Sequence, residues 1–261
     1  MTARRVPYAV TVTAVLTYVL LHLPLLVLIA FSFNRSRFGV QWGGFTLDWY
    51  ARLAARPDIL RALRLSLVAG VASTLLATTM GTLAALALAR HLPRARRRAE
   101  ALLYLPIVTP EIVAGVSLLV LFSWLGIGLG MATIVMAHTA FSIPFVTVVV
   151  LARLQGTDRA LEEAAMSLGA DEWSTFRRVT LPLLMPGVLA GALLAFTLSF
   201  DDFVTTFFVS GVGSTTLPLA VYSMVRKSVE PTINALSALL VIVTTVAVYF
   251  ADRLARGWWR A

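Results

Sequence analysis

Three carboxylates stand inside otherwise apolar stretches of this chain: Glu111, in Thr109-Pro110-Glu111-Ile112-Val113, and the adjacent pair Asp201-Asp202. An ionised side chain in hydrocarbon is costly, so such residues mark ion or solute pathways by default. No Lys or Arg falls in the central part of the apolar runs to neutralise them, and unpaired carboxylates along a path complement a cation. Successive helical residues differ by about 100°, so Asp201 and Asp202 cannot both face one lumen. One of them is expected to cap a backbone break or to bond Ser199 or Thr205. His138 has a ring able to relay protons, but nothing at metal-ligand spacing accompanies it, and it reads as a hydrogen-bonded helix-packing residue. Trp124, Phe141, Phe145 and Phe196 can offer ring faces to an ammonium, although packing or lipid-facing roles are the ordinary use of such residues. Other chemistry is excluded. The chain has no cysteine, which removes thiol catalysis, disulfides and Cys-ligated metal. No Ser, His and acid converge in one loop, and no phosphate-binding G-x-x-x-x-G-K-[ST] occurs. Catalytic residues, metal and cofactor are therefore all expected to be none.

The elements that carry these residues are membrane spans. Of 261 residues, 59% are hydrophobic and 13% charged, well outside the usual balance of a soluble domain. The apolar residues gather into runs of about 20, enough to cross about 30 Å of hydrocarbon as helix. Six runs are expected, at about 8–33, 65–89, 101–125, 129–152, 183–208 and 233–250, in a single all-α, polytopic domain covering 1–261. The first is too long for a signal peptide and lacks a convincing cleavage site. Between the first two runs, Trp49, Leu53, Ile59 and Leu63 among polar residues suggest a short interfacial helix. A Gly-rich turn through Gly126, Gly128 and Gly130 separates the third and fourth runs. Trp258 and Trp259 beside Arg256 and Arg260 suggest an interfacial anchor.

The net charge of +9 does not signal nucleic acid, because the basic residues punctuate hydrophobic runs instead of sharing one solvated face. They fit membrane topology and anionic lipid better. With the N-terminus in the cytoplasm, 14 of the 22 Lys and Arg fall on that side, including the tight run Arg94 to Arg98. Six arginines after the first helix fall outside, in one of the longer loops, where the positive-inside rule is weaker. Both termini are expected to be cytoplasmic.

That topology makes 153–182 a cytoplasmic loop. It contains Glu162, then Glu163-Ala164-Ala165, Gly169 after three intervening residues, and Val179, Leu181 and Pro182 after nine more. Good helix formers fill the stretch from Glu162 to Leu168, and Gly169 suits a helix stop needing positive φ. Asp171 can cap a second short helix from Glu172 to about Val179, and Pro182 can open the fifth span, where a missing N–H costs nothing. The spacing resembles the EAA loop of ABC importer permeases, E-A-A-x3-G-x9-I-x-L-P, with Val179 where Ile is usual. This resemblance implies the type I ABC importer permease fold and a bacterial inner-membrane location. It also implies that Glu162, Glu163, Ala164, Ala165, Gly169, Leu181 and Pro182 belong to a coupling helix docked on a separate, dimeric ABC ATP-binding subunit. Near the second run, Leu65 stands where family members often have Asn.

The segments from Pro110 to Phe122, Phe196 to Asp202, Phe208 to Gly211, Leu217 to Arg226 and Val229 to Leu236 look like the second permease of spermidine/putrescine importers. That likeness implies polyamine cargo, a second homologous permease and an extracytoplasmic substrate-binding protein. Related permeases carry iron, thiosulfate, phosphonates or opines, which stay open as alternatives. A secondary transporter coupling ions through the intramembrane acids is a more distant one.

Overall fold

The computed structural model describes residues 8–37, 41–90, 96–227 and 231–258. Among them the regular structure is helical: α1 (Tyr8–Ser32), α2 (Asp48–Ala54), α3 (Pro57–Arg90), α4 (Arg96–Val108), α5 (Glu111–Trp124), α6 (Met131–Gln155), α7 (Ala160–Ser167), α8 (Glu172–Thr175), a π turn (Phe176–Thr180), α9 (Leu181–Asp201), α10 (Val204–Val209), α11 (Leu217–Lys227) and α12 (Pro231–Trp258). The chain divides into two compact units, one formed by residues up to Leu60 and from Val221 onward, the other by Arg61–Ala220.

In the first unit α12 packs on α1 and α2. The loop after α1 is organised by Asn34. Its amide donates to the Gln41 carbonyl at 2.8 Å, its Oδ1 accepts from Gly43 N at 2.8 Å, and its own carbonyl accepts from Trp49 Nε1 at 2.8 Å. These bonds satisfy polar groups that the turn would otherwise bury unpaired. The expected interfacial helix exists as α2, with Trp49 and Leu53 on its buried face. Ile59 and Leu63 are not part of it, because α3 begins at Pro57, about eight residues before the expected run. Pro at the first helical position has φ already set for a helix and lacks only an N–H that would be unsatisfied there.

The second unit is built around α6, whose centre is the most buried of the long apolar helices. α3 carries a stripe of buried small residues, Ala62, Ser66, Ala69, Gly70, Ser73, Ala77, Gly81 and Ala85, which meets α6 at Gly81 and α9 at Gly70 and Ser73. Between helices in lipid the hydrophobic effect contributes little, so close backbone approach and interhelical hydrogen bonds do the joining. At Gly81 the approach is so near that a Cβ would stand 2.8 Å from the Val146 side chain. Ala77, Ala85, Val146, Val150, Leu151 and Ala195 make one core cluster, and Ala69, Phe122, Ile134, Ala137 and Val209 another.

The six expected spans are not all present as single helices. Four helices among the described residues are long and apolar enough to cross a membrane, or five if one bent pair counts as a span. That pair is the expected third run, which turns by 104° between α4 and α5. Pro110 causes the break: it has no N–H for the carbonyl four residues back, and its ring disfavours a helical Thr109. The expected fifth run stops at Asp201, and α10 follows after Asp202-Phe203. In the sixth, the apolar described stretch is Pro231–Val246, shorter than a span. The run Arg94 to Arg98 lies partly outside the described residues, as do Val229 and Glu230 and the side chains of Trp258 and Trp259.

Candidate functional site

The breaks in the third and fifth runs carry the three acids. Glu111 is the first residue of α5, directly after Pro110, and Asp201 is the last residue of α9. Both are exposed. They line one cavity of about 350 Å³ together with Asp202, Phe141, Phe145 and Thr197. Among the described residues this lining contains no Lys or Arg. Two of the four aromatics read as packing residues thus stand in the wall of the acidic cavity. Phe196 instead stacks on Phe200 and packs over Gly70, and Trp124 is exposed.

Asp202 differs from its neighbour. Its side chain is 7% exposed, and Oδ2 lies 3.2 Å from His138 Nε2. The carboxylate accepts from the Thr205 and Thr206 backbone N–H groups at 3.3 and 2.7 Å and from the Thr206 hydroxyl at 2.7 Å. It caps the backbone break and in doing so bonds the Thr205 backbone, two of the roles open from the sequence, while Ser199 bonds His138 instead. His138, 1% exposed, has Nδ1 2.6 Å from Ser199 Oγ and Nε2 2.9 Å from Thr206 Oγ1, and Ser199 meets Ser73 of α3 at 2.9 Å. A polar line therefore runs from α3 through α9 and α6 to the start of α10. His138 is the packing residue its sequence context suggested, but its partner is an acid that the sequence alone could not assign to it.

At the other end of α9 lies the loop. α7 ends at Ser167, and Gly169 takes φ +91°, the left-handed value expected of it. Asp171 caps α8 by accepting from Ser174 N at 3.2 Å, and the bonds with Ser174 hold its carboxyl below the usual carboxylate range. The second short helix does not stop near Val179. It passes through the π turn into α9, so that Glu172–Asp201 is one 30-residue helix. Pro182 deprives the Arg178 carbonyl of its usual donor, and a turn wound with i→i+5 spacing sits just before it.

The loop residues divide by exposure. Glu163, Ala164, Leu168 and Gly169 are exposed, as are Leu161, Met166 and Trp173, while Ala165 and Leu181 are half-buried and Pro182 is exposed. Glu163 lies 3.7 Å from Arg159 on the same helix. Glu162 turns inward instead, pairing with Arg90 at the end of α3 and accepting from the Thr180 hydroxyl at 2.7 Å. Arg153, at the end of α6, donates Nε to the Leu183 carbonyl at 3.0 Å and lays its stem over Gly187. Among the described residues no group of three or more His, Cys, Asp or Glu is placed to hold a metal ion.

A family model described as "Binding-protein-dependent transport system inner membrane component" matches residues 77–260. The spermidine/putrescine transport system permease protein PotC of Escherichia coli (strain K12) is 44% identical over 239 residues, covering 92% of this chain and 90% of that protein. The putrescine transport system permease protein PotI of the same strain is 39% identical over 260 residues, covering 95% and 92%. Among solved structures, a bacterial ABC transporter that imports the acidic polysaccharide alginate matches with a TM-score of 0.77 at 18% identity, over 95% of this chain and 94% of that one. The methionine ABC transporter MetNI matches with a TM-score of 0.62 at 18% identity, over 82% and 99%. These structures share the fold, while the sequence relatives and the family model place the kinship. The chain belongs to the family of inner membrane components of binding-protein-dependent transport systems, the ABC permease family whose loop pattern it carries from Glu163 to Pro182.

Proposed function

We propose that this chain is the permease subunit through which an ABC importer moves polyamine cations across the inner membrane. The observation that carries this reading is the cavity where Glu111 and Asp201 stand beside Phe141 and Phe145 with no Lys or Arg in the lining. A site of carboxylates and ring faces suits a flexible ammonium chain, through charge-assisted hydrogen bonds and cation–π contact. The names of the PotC and PotI relatives support the same cargo. In this reading Glu111 and Asp201 meet the solute, and Asp202 keeps the wall in place through His138 and Thr206.

The importer comprises this permease, a second homologous permease, a dimeric ABC ATP-binding subunit and an extracytoplasmic binding protein. Six crossings, with α4 and α5 together forming the third and α12 the last, put both termini and α7 in the cytoplasm. The ATPase subunit seats on the exposed face of α7 and the turn after it, with Glu163, Ala164, Leu168 and Gly169 against it. Ala165, Leu181 and Pro182 hold that face in register with α9.

The test is uptake of labelled spermidine and putrescine by vesicles carrying all subunits. Glu111→Gln and Asp201→Asn are each expected to lower uptake about tenfold, the order expected from losing one hydrogen bond to a charged group. Unchanged uptake in both would remove polyamine as the cargo. Uptake that persists with a hydrolysis-dead ATPase partner would remove the ABC mechanism.

A further inference from the structure

Glu162 is unlike the rest of the loop because its carboxylate is turned away from the surface on which a partner can act. Its side chain is 19% exposed, against 66% for Glu163 next to it. Three groups meet there: Arg90 Nη2 donates both to Glu162 Oε1 and to Thr180 Oγ1, and Thr180 donates to the same Glu162 oxygen. Thr180 is 2% exposed. Each comes from a different element, since Arg90 ends α3, Glu162 lies in the first turn of α7, and Thr180 is the last residue before α9. A cation at a helix C-terminus and an acid at a helix N-terminus also oppose the helix dipoles favourably. The Arg153 to Leu183 bond ties the end of α6 to the same root of α9.

We propose that Glu162 is a positioning residue that acts inside the chain: with Arg90 and Thr180 it forms a strut that passes any displacement of α7 to α3 and α9 together. This rests on the reading of α7 as the ATPase docking helix. The geometry gives the strut two outputs. α9 runs 21 residues from Thr180's neighbour Leu181 to Asp201 at the acidic cavity, and α3 reaches the same region through Ser73 and Ser199. Two rigid helices moved in step at one end shift both walls of the polar line at the other, whereas α9 moved alone would shear Ser199 from Ser73.

The experiment uses the assembled importer in proteoliposomes and reads three quantities: co-purification of the ATPase subunit, ATP hydrolysis stimulated by the loaded binding protein, and solute imported per ATP. Glu162→Gln, Arg90→Gln and Thr180→Val are expected to keep co-purification while solute per ATP falls about tenfold, within the usual range of a coupling between two sites. Thr180→Ser, which keeps the hydroxyl, is expected to import normally; Thr180→Val keeps the side-chain shape, so its effect does not depend on misfolding. Solute per ATP unchanged in both Glu162→Gln and Thr180→Val overturns the strut. So does loss of co-purification in Glu162→Gln as severe as in Leu168→Asp, which would make Glu162 a contact residue. If Leu168→Asp itself leaves co-purification and hydrolysis intact, the docking reading has failed, a separate result.

Discussion

Asp201 and Asp202 are adjacent in the chain and opposite in circumstance. A helix ends between them, so one carboxylate opens to the cavity while the other turns into a pocket already furnished with two backbone N–H groups, a hydroxyl and an imidazole. The division makes a prediction at residue scale. Asp201→Asn removes a charge from an open wall and is expected to lower uptake while leaving thermal unfolding of the detergent-solubilised protein unchanged. His138→Leu takes the imidazole away from a buried acid and two hydroxyls that keep only their other partners, a loss of about 1–3 kcal/mol, and is expected to lower the Tm clearly. Equal Tm shifts in the two variants would mean that the acids do not differ in role. Glu162 and Glu163 repeat the lesson, since side-chain direction, set by one step around a helix, separates an acid turned inward to Arg90 from one left 66% exposed.

Elements matter here chiefly where they break. Pro110 ends α4 and starts α5 with Glu111 at the head, and the break after Asp201 starts α10, so two interruptions bring acids from distant parts of the chain to one cavity. Irregular backbone at membrane depth is tolerated where it is buried in protein or lines a cavity. The α7–α8 turn depends on Gly169, whose φ of +91° strains any L residue although open space surrounds it. Gly169→Asp is therefore expected to fold and to insert, at a cost of about 1–2 kcal/mol for a left-handed L residue, but to reorient α7. The expected result is weakened recovery of the ATPase subunit or hydrolysis without uptake; normal recovery and normal stimulation would refute it. Gly187→Val acts differently, because a Cβ there meets Arg153 Cβ at 2.6 Å. Forcing α6 and α9 apart is expected to cost about 1–3 kcal/mol, seen as a lowered Tm with no change in the loop.

At the scale of the molecule, the proposed arrangement has a sidedness. In the topology we propose, the loop at α7 is cytoplasmic and the loop after α1 is on the other side of the membrane. The absence of native cysteine makes this directly measurable by single-cysteine labelling with a membrane-impermeant maleimide. Ala164→Cys is expected to react only in inside-out vesicles and Ser36→Cys only in right-side-out ones. The reverse pattern would invert the topology and detach the docking reading from α7.

The sequence by itself determined a helical membrane protein, its family, the left-handed glycine at 169, the cap at Asp171 and the presence of acids where acids are costly. Those features are local: hydrophobic run length, residue type at a turn, and spacing along one loop can all be read without knowing what lies opposite. Only the tertiary structure decided that the third run folds back at Pro110, that α8 continues into α9, that Phe141 and Phe145 share a wall with Glu111 and Asp201, and that His138 answers Asp202 while Arg90 answers Glu162. The last two partnerships join residues 64 and 72 positions apart, and no periodicity reports them, because a buried charge selects its partner by distance in the packed bundle and not by distance along the chain.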